Sequence, residues 1–141
     1  MMANSLKKHR LVFIIAAVPV AAGIGAFVVF ASAKKPADYT QLLGQWARPD
    51  GGYVLDIRNV EPDGKLELAY LNPRPINVSK AHANIETGQI KIFVELRDRY
   101  YPGSYYTLIY DSKMDRLVGV YHHLGIGQNI SVSFLRKPGT I

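Results

Sequence analysis

The sequence predicts an all-β protein: an eight-stranded antiparallel up-and-down barrel preceded by one N-terminal transmembrane or signal helix. Three observations carry that prediction. From Gln41 onward, short runs of alternating apolar residues are separated by turn signals at intervals of roughly 8–12 residues, the spacing of an all-β sandwich or barrel. No helical period interrupts them. Ahead of them lies one long uncharged apolar run, LVFIIAAVPVAAGIGAFVVFASA, at residues 11–33.

That run comes first in the chain. About 20 apolar residues wound as a helix cross a hydrocarbon core of roughly 30 Å, so the segment targets the chain to a membrane. Ala31-Ser32-Ala33 fits a small-x-small cleavage site, but the run is longer than the roughly 7–15 residues of an ordinary signal core, which favours a retained anchor. Lys7, Lys8 and Arg10 before it place the N-terminus in the cytoplasm by the positive-inside rule, although Lys34 and Lys35 behind it weaken that signal. The expected location is the cell envelope. The domain lies outside the cytoplasm (in the periplasm) on a single-pass anchor, or is secreted after cleavage near Ala33.

The expected organisation is a membrane anchor or signal peptide at 1–33, a linker at 34–40, a barrel domain at 41–137 and a tail at 138–141. Strands are expected at 41–47, 52–59, 65–71, 76–85, 89–97, 104–110, 116–122 and 129–136, with turns such as Pro49-Asp50-Gly51, Glu61-Pro62-Asp63-Gly64 and Glu86-Thr87-Gly88 between them. The clearest pair is 90–110, IKIFVELRDRYYPGSYYTLIY, a hairpin whose loop Asp98-Arg99-Tyr100-Tyr101-Pro102-Gly103 carries charge and two aromatic rings. A meander of short links closes most simply into a barrel, because closure removes exposed strand edges. Alternation directs Tyr53, Leu55, Ile57, Leu66, Leu68, Tyr70, Ile76, Val78, Ile90, Ile92, Val94, Leu96, Tyr106, Leu108, Tyr110, Leu117, Gly119, Tyr121, Ile130, Val132 and Phe134 inward. Eight strands leave room for side chains or one small ligand, so any cavity is small.

Charge and composition narrow the function classes. The formal charge is +6, but five of the 17 basic residues flank the apolar run, leaving 12 against 11 acidic residues from Pro36 onward. The domain lacks the basic excess of a nucleic-acid binder. With no cysteine there is no disulfide, thiolate nucleophile, Cys-zinc site or acylated N-terminal cysteine.

Gly44-Gln45-Trp46 on the first strand, with Arg136 near the end of the last, resembles the lipocalin or calycin superfamily of small ligand-carrying barrels. In those proteins a Gly-x-Trp lays its indole across the closed end and an arginine packs over it, an arrangement stabilised by cation–π and packing contact. The Gly-x-Trp start, with Gly64, Leu66 and Tyr70, also looks somewhat like an avidin. Trp46 is the only tryptophan, so the aromatic biotin box of that family is missing. Only five residues follow Arg136, too few for a lipocalin's C-terminal helix. The resemblance implies a small-ligand barrel and names no ligand.

In a meander, alternate connections share one end. One end gathers the loops carrying Arg48, Arg74, Arg97, Arg99, Tyr100, Tyr101, His122 and His123, and is taken as the mouth; the other is mainly acidic and tight. Guanidinium forks bind carboxylate or phosphate bidentately, and tyrosines add apolar contact with a polar tip. These eight residues are the expected ligand site, set against the plainer reading that Arg97 and Arg99 merely flank Asp98 in a solvated loop.

Neither a metal nor another cofactor is expected. His122 and His123 are adjacent on a strand and point to opposite faces, and His82 and His9 lack the spacing to help. His122 with Asp98 is the one acid–base pairing the mouth offers, no serine or threonine stands out as a nucleophile, and the protein is read as non-enzymatic. Tyr105, Ile109, Val118 and Val120 put apolar residues on the outer face, a surface for a partner protein, an inhibitory target or a second copy.

Overall fold

A computed structural model describes Lys35 and residues 37–139. The apolar run at 11–33 lies outside the described residues, and among those described no helix is long and apolar enough to cross a membrane. Nine strands follow a short 3-10 turn, Thr40–Leu42: β1 Gly44–Ala47, β2 Val54–Val60, β3 Leu66–Asn72, β4 Arg74–Ile76, β5 Val78–Glu86, β6 Gln89–Asp98, β7 Tyr101–Asp111, β8 Arg116–His123 and β9 Gln128–Arg136. They form one sheet in the order β4-β3-β2-β1-β9-β8-β7-β6-β5, and every ladder is antiparallel. The first and last long strands meet through Trp46↔Arg136 and Ala47↔Leu135, which curls the meander into a nearly closed barrel.

Nine strands rather than eight arise from a break in the expected strand at 76–85. The Asn77 carbonyl accepts from the Arg97 N–H at 2.9 Å and its own N–H donates to Asp98 Oδ2 at 3.1 Å. Those bonds turn the backbone at Asn77, so β4 pairs with β3 and β5 pairs with β6. Closure between β3 and β5 is incomplete. Tyr70–Asn72 pair with β4, and Lys65 bridges His82 with the Ala83 N–H donating to Gly64 O at 2.7 Å, but between these points the strands splay around a cleft of about 510 Å³. Gly64 is required here: its φ is 92°, and a Cβ would stand 2.0 Å from Ala83 O.

Two other segments differ from the sequence reading. The expected strand at 41–47 begins as the 3-10 turn, started by Asp38 Oδ1 accepting from the Thr40 N–H at 3.0 Å and hydroxyl at 2.6 Å. The six-residue loop expected at 98–103 is a two-residue turn, Arg99-Tyr100, because Asp98 pairs with Tyr101 and Arg97 with Pro102. A register shift between Glu95 and Arg97 absorbs the extra residue, as a bulge does.

The barrel interior is filled. Leu55, Ile57, Tyr70, Ile92, Val94, Leu96, Tyr106, Leu108, Leu117 and Phe134 are buried, with Trp46 at 0% exposure and Tyr39 and Leu42 packed into the same core. Ile130, expected inside, is exposed at the rim. Gly119 sits where Leu108 and Val132 flank it in register, and a Cβ there would come within 2.0 Å of Thr107 O. That close approach of β7 to β8 tightens the wall's curvature.

Candidate functional site

The topology brings the turns after β1, β3, β6 and β8 to one end of the barrel. A pocket of about 130 Å³ opens there, lined by Arg48, Tyr53, Tyr70, Tyr101, Tyr121, His123 and Ile130. Larger hollows exist at the β3/β5 seam and on the outer wall, but those are shallow and have no buried polar atom left without a partner. At the mouth such atoms are present.

Arg48 is the centre of this pocket. Its side chain is 7% exposed, while that of Asp50, two residues on, is 59% exposed. Nε donates to Asp50 Oδ1 at 2.9 Å and Nη2 to Asp50 Oδ2 at 2.5 Å, a bidentate fork. The guanidinium carbon lies 4.3 Å from the Tyr53 ring centroid, and Nη1 makes a long 3.4 Å bond to Tyr106 Oη. Burial works against the charge, but the bonds to Asp50 and Tyr106 outweigh it and hold Arg48 protonated. Asp50, bonded by that fork, is held below the usual carboxylate range.

Tyrosines form the pocket wall. Tyr70 and Tyr106 share a 2.8 Å hydroxyl hydrogen bond. Burial raises the pKa of both, with Tyr106 pushed up to about 12 against the lowering effect of its bonds to Tyr70 and Arg48. Tyr101 Oη accepts from Asn72 Nδ2 at 2.7 Å. Tyr121 is buried, and its hydroxyl reaches no partner in hydrogen-bonding geometry; burial pushes its pKa up, and nearby Ser104 only partly offsets this. His123 Nδ1 is likewise buried without a partner. A buried polar atom left unpaired costs about 1–3 kcal/mol, and both of these atoms belong to residues that line the one cavity.

Of the eight residues expected at the mouth, Arg48, Tyr101 and His123 line this pocket. Arg74 is exposed on β4; Arg97 is exposed and pairs with Glu95 at 3.1 Å; Arg99 is exposed and lies over the ring of Tyr100, itself 74% exposed. His122 faces outward, its ring stacked on Tyr105 at 4.3 Å and bonded to Thr107 and Asn129. The structure does not pair it with Asp98, whose oxygens accept from the Asn77 and Arg99 N–H groups, bonds that lower its pKa. Tyr53, Tyr70, Tyr121 and Ile130 complete the lining. Sequence reading gave them only a core role, although the alternation directs each of them inward near the mouth end of its strand.

No protein-family model, curated protein or solved structure matches this chain. The functional reading therefore stands on the geometry. At the opposite end, the residues behind the lipocalin resemblance are in contact: Arg136 lies 4.0 Å over the Trp46 ring, and Trp46 Nε1 donates to Leu42 O at 2.8 Å. Among the described residues no three His, Asp or Glu side chains converge as a metal site.

The outer wall carries the other expected surface. Tyr105, Ile109, Val118 and Val120 are half-buried, with Ile109↔Val118 and Thr107↔Val120 in register. Cross-strand ring contacts run His82–Phe93 at 5.3 Å, Phe93–Tyr105 at 5.4 Å and Tyr105–His122 at 4.3 Å. Such neighbours stabilise a sheet by covering one another. Phe93, Ile109 and Val120 border a shallow dent of about 430 Å³.

Proposed function

We propose that this protein is a non-catalytic binding module that takes a small amphipathic or anionic molecule into the mouth of its barrel. The observation that carries this reading is the pocket itself: a buried, charged Arg48 beside Tyr121 Oη and His123 Nδ1, two buried atoms without partners. A cavity of about 130 Å³ suits a ligand about the size of one aromatic ring, since an engineered cavity of about 150 Å³ holds benzene. The apolar run at 11–33 supports a place in the cell envelope, with the barrel outside the cytoplasm.

A ligand-observed NMR screen of the purified full-length chain with molecules of up to about ten heavy atoms tests the reading. Saturable ligands whose binding disappears in Arg48→Met are expected. No saturable ligand, or ligands indifferent to Arg48→Met, would overturn it.

A second reading rests on the outer wall, where the apolar dent beside Phe93, Ile109 and Val120 fits docking of a partner protein or a second copy. Self-association abolished by Ile109→Asp would support it; a monomeric wild-type chain that no envelope protein binds would count against it.

A further inference from the structure

The mouth pocket has more protons to give than acceptors to take them. Arg48 has only donors, and the second N–H on each of Nη1 and Nη2 has no partner among the described residues. Tyr70 and Tyr106 bring two hydroxyl protons to one shared bond, so one is left over whichever hydroxyl donates. Tyr101 accepts from Asn72, which leaves its own proton unused, and the Tyr121 hydroxyl is unpartnered. A molecule entering this cavity meets the buried Arg48 cation and several unused O–H donors, and a group that is anionic and rich in lone pairs complements them.

Asp50 shows which group the arginine already holds. Its carboxylate sits bidentately on the Nε/Nη2 edge of Arg48, yet its side chain is 59% exposed. It stands on the Pro49-Asp50-Gly51-Gly52 turn, and Gly52 has open space around its Cα. The Asp50 carboxylate already faces water, whereas the Arg48 guanidinium is buried and needs a carboxylate on its fork, so Asp50 can leave only as another anion takes its place.

From these two features we infer that the ligand of the mouth pocket is a small monocarboxylate, and that Asp50 is its internal competitor, occupying the Arg48 fork until the ligand's carboxylate replaces it. This rests on the small-ligand reading of the same pocket and adds its chemical class. The exchange conserves charge: one carboxylate leaves the guanidinium as another arrives, so the buried cation is never uncompensated. The unused protons of Tyr101 and Tyr121 are available to the incoming oxygens, while the tyrosine rings and Ile130 receive the apolar part. The apparent affinity of the wild type is lowered by the fraction of time Asp50 holds the fork.

Calorimetric titration of the full-length chain with benzoate and its neutral isostere benzamide, in wild type, Asp50→Asn and Asp50→Ser, tests this directly. The expected result is benzoate binding about tenfold tighter in both variants, with benzamide affinity changed by less than about twofold. Two variants guard against a folding defect in one of them, with circular dichroism as the check. Benzoate affinity unchanged or weakened in both, or benzamide bound as tightly as benzoate by the wild type, would overturn the carboxylate assignment while leaving a small-ligand pocket in place. Absence of binding by either compound to any of the three proteins overturns it as well, and the Arg48-dependent screen then decides separately whether the pocket binds anything.

Discussion

Two arginines, one at each end of the barrel, are built alike and finished differently. Arg136 lies over Trp46 and Arg48 over Tyr53, and each grips an aspartate through Nε and Nη2: Asp115 at 2.7 and 3.0 Å, Asp50 at 2.9 and 2.5 Å. Arg136 then goes on to donate to Leu43 O and Gln41 O, both at 2.6 Å, and so ties the entry turn and the residue that caps it to the end of β9. Arg48 has only the long bond to Tyr106 beyond its aspartate. Nearby hydroxyls follow the same contrast: Tyr110 donates to Asp115 at 3.0 Å, while Tyr121 has no partner. One end is closed by its own hydrogen bonds and contributes stability; the other keeps unused donors around a cavity, the feature on which the proposed binding role rests.

The largest test of this contrast replaces the two arginines. Arg136→Met removes two charge-assisted bonds to backbone carbonyls and the cap on Trp46, and should cost about 2–3 kcal/mol in chemical denaturation. Arg48→Met should cost about 1 kcal/mol or less, since Asp50 is free to be hydrated and a well-packed apolar replacement of a buried charge is often tolerated. Equal losses at the two ends would remove the distinction.

Much of this was legible in the chain beforehand. The turn-separated alternation from Gln41 to Arg136 carried the antiparallel meander, because a period of two is a direct consequence of strand geometry. Two features escaped. The break at Asn77 depends on bonds to Arg97 and Asp98, twenty or more residues away, so local periodicity reads straight through it. The membership of the site depends on strand ends: Arg74, Arg97 and Arg99 drew attention as charges, yet they are exposed, while Tyr53, Tyr70 and Tyr121 looked like ordinary inward core residues. The recoverable signal was that inward tyrosines recur near the mouth end of β2, β3 and β8, which brings several hydroxyls to one opening.

Paired tyrosine substitutions sharpen the contrast with smaller effects. Tyr110→Phe removes a satisfied hydroxyl and should destabilise by about 1 kcal/mol. Tyr121→Phe removes an unsatisfied one and should leave stability unchanged or raise it by up to about 1 kcal/mol, while weakening any ligand of the mouth. Both are read from denaturation midpoints.

Acid and alkali should separate the ends most gently. Asp115 is held below its ordinary value of 3.8 by the Arg136 fork, so its contribution is complete above that value and is lost as pH falls through the lower folded pKa; Asp115→Asn should flatten the acid limb of stability. Tyr106 ionises at about 12 against an ordinary 10.0, because burial disfavours its phenolate. The unfolded chain therefore ionises first, and stability should fall as pH rises from 10.0 through about 12, less steeply in Tyr106→Phe.

The most direct test is tyrosine-selective isotope labelling of the full-length chain, followed by NMR through a benzoate titration. Saturable shifts in Tyr53, Tyr70 and Tyr121, with Tyr110 beside Trp46 unmoved, are the predicted result. Shifts that fail to saturate, or that are as large at Tyr110 as at the mouth, would contradict a binding site at that end of the barrel.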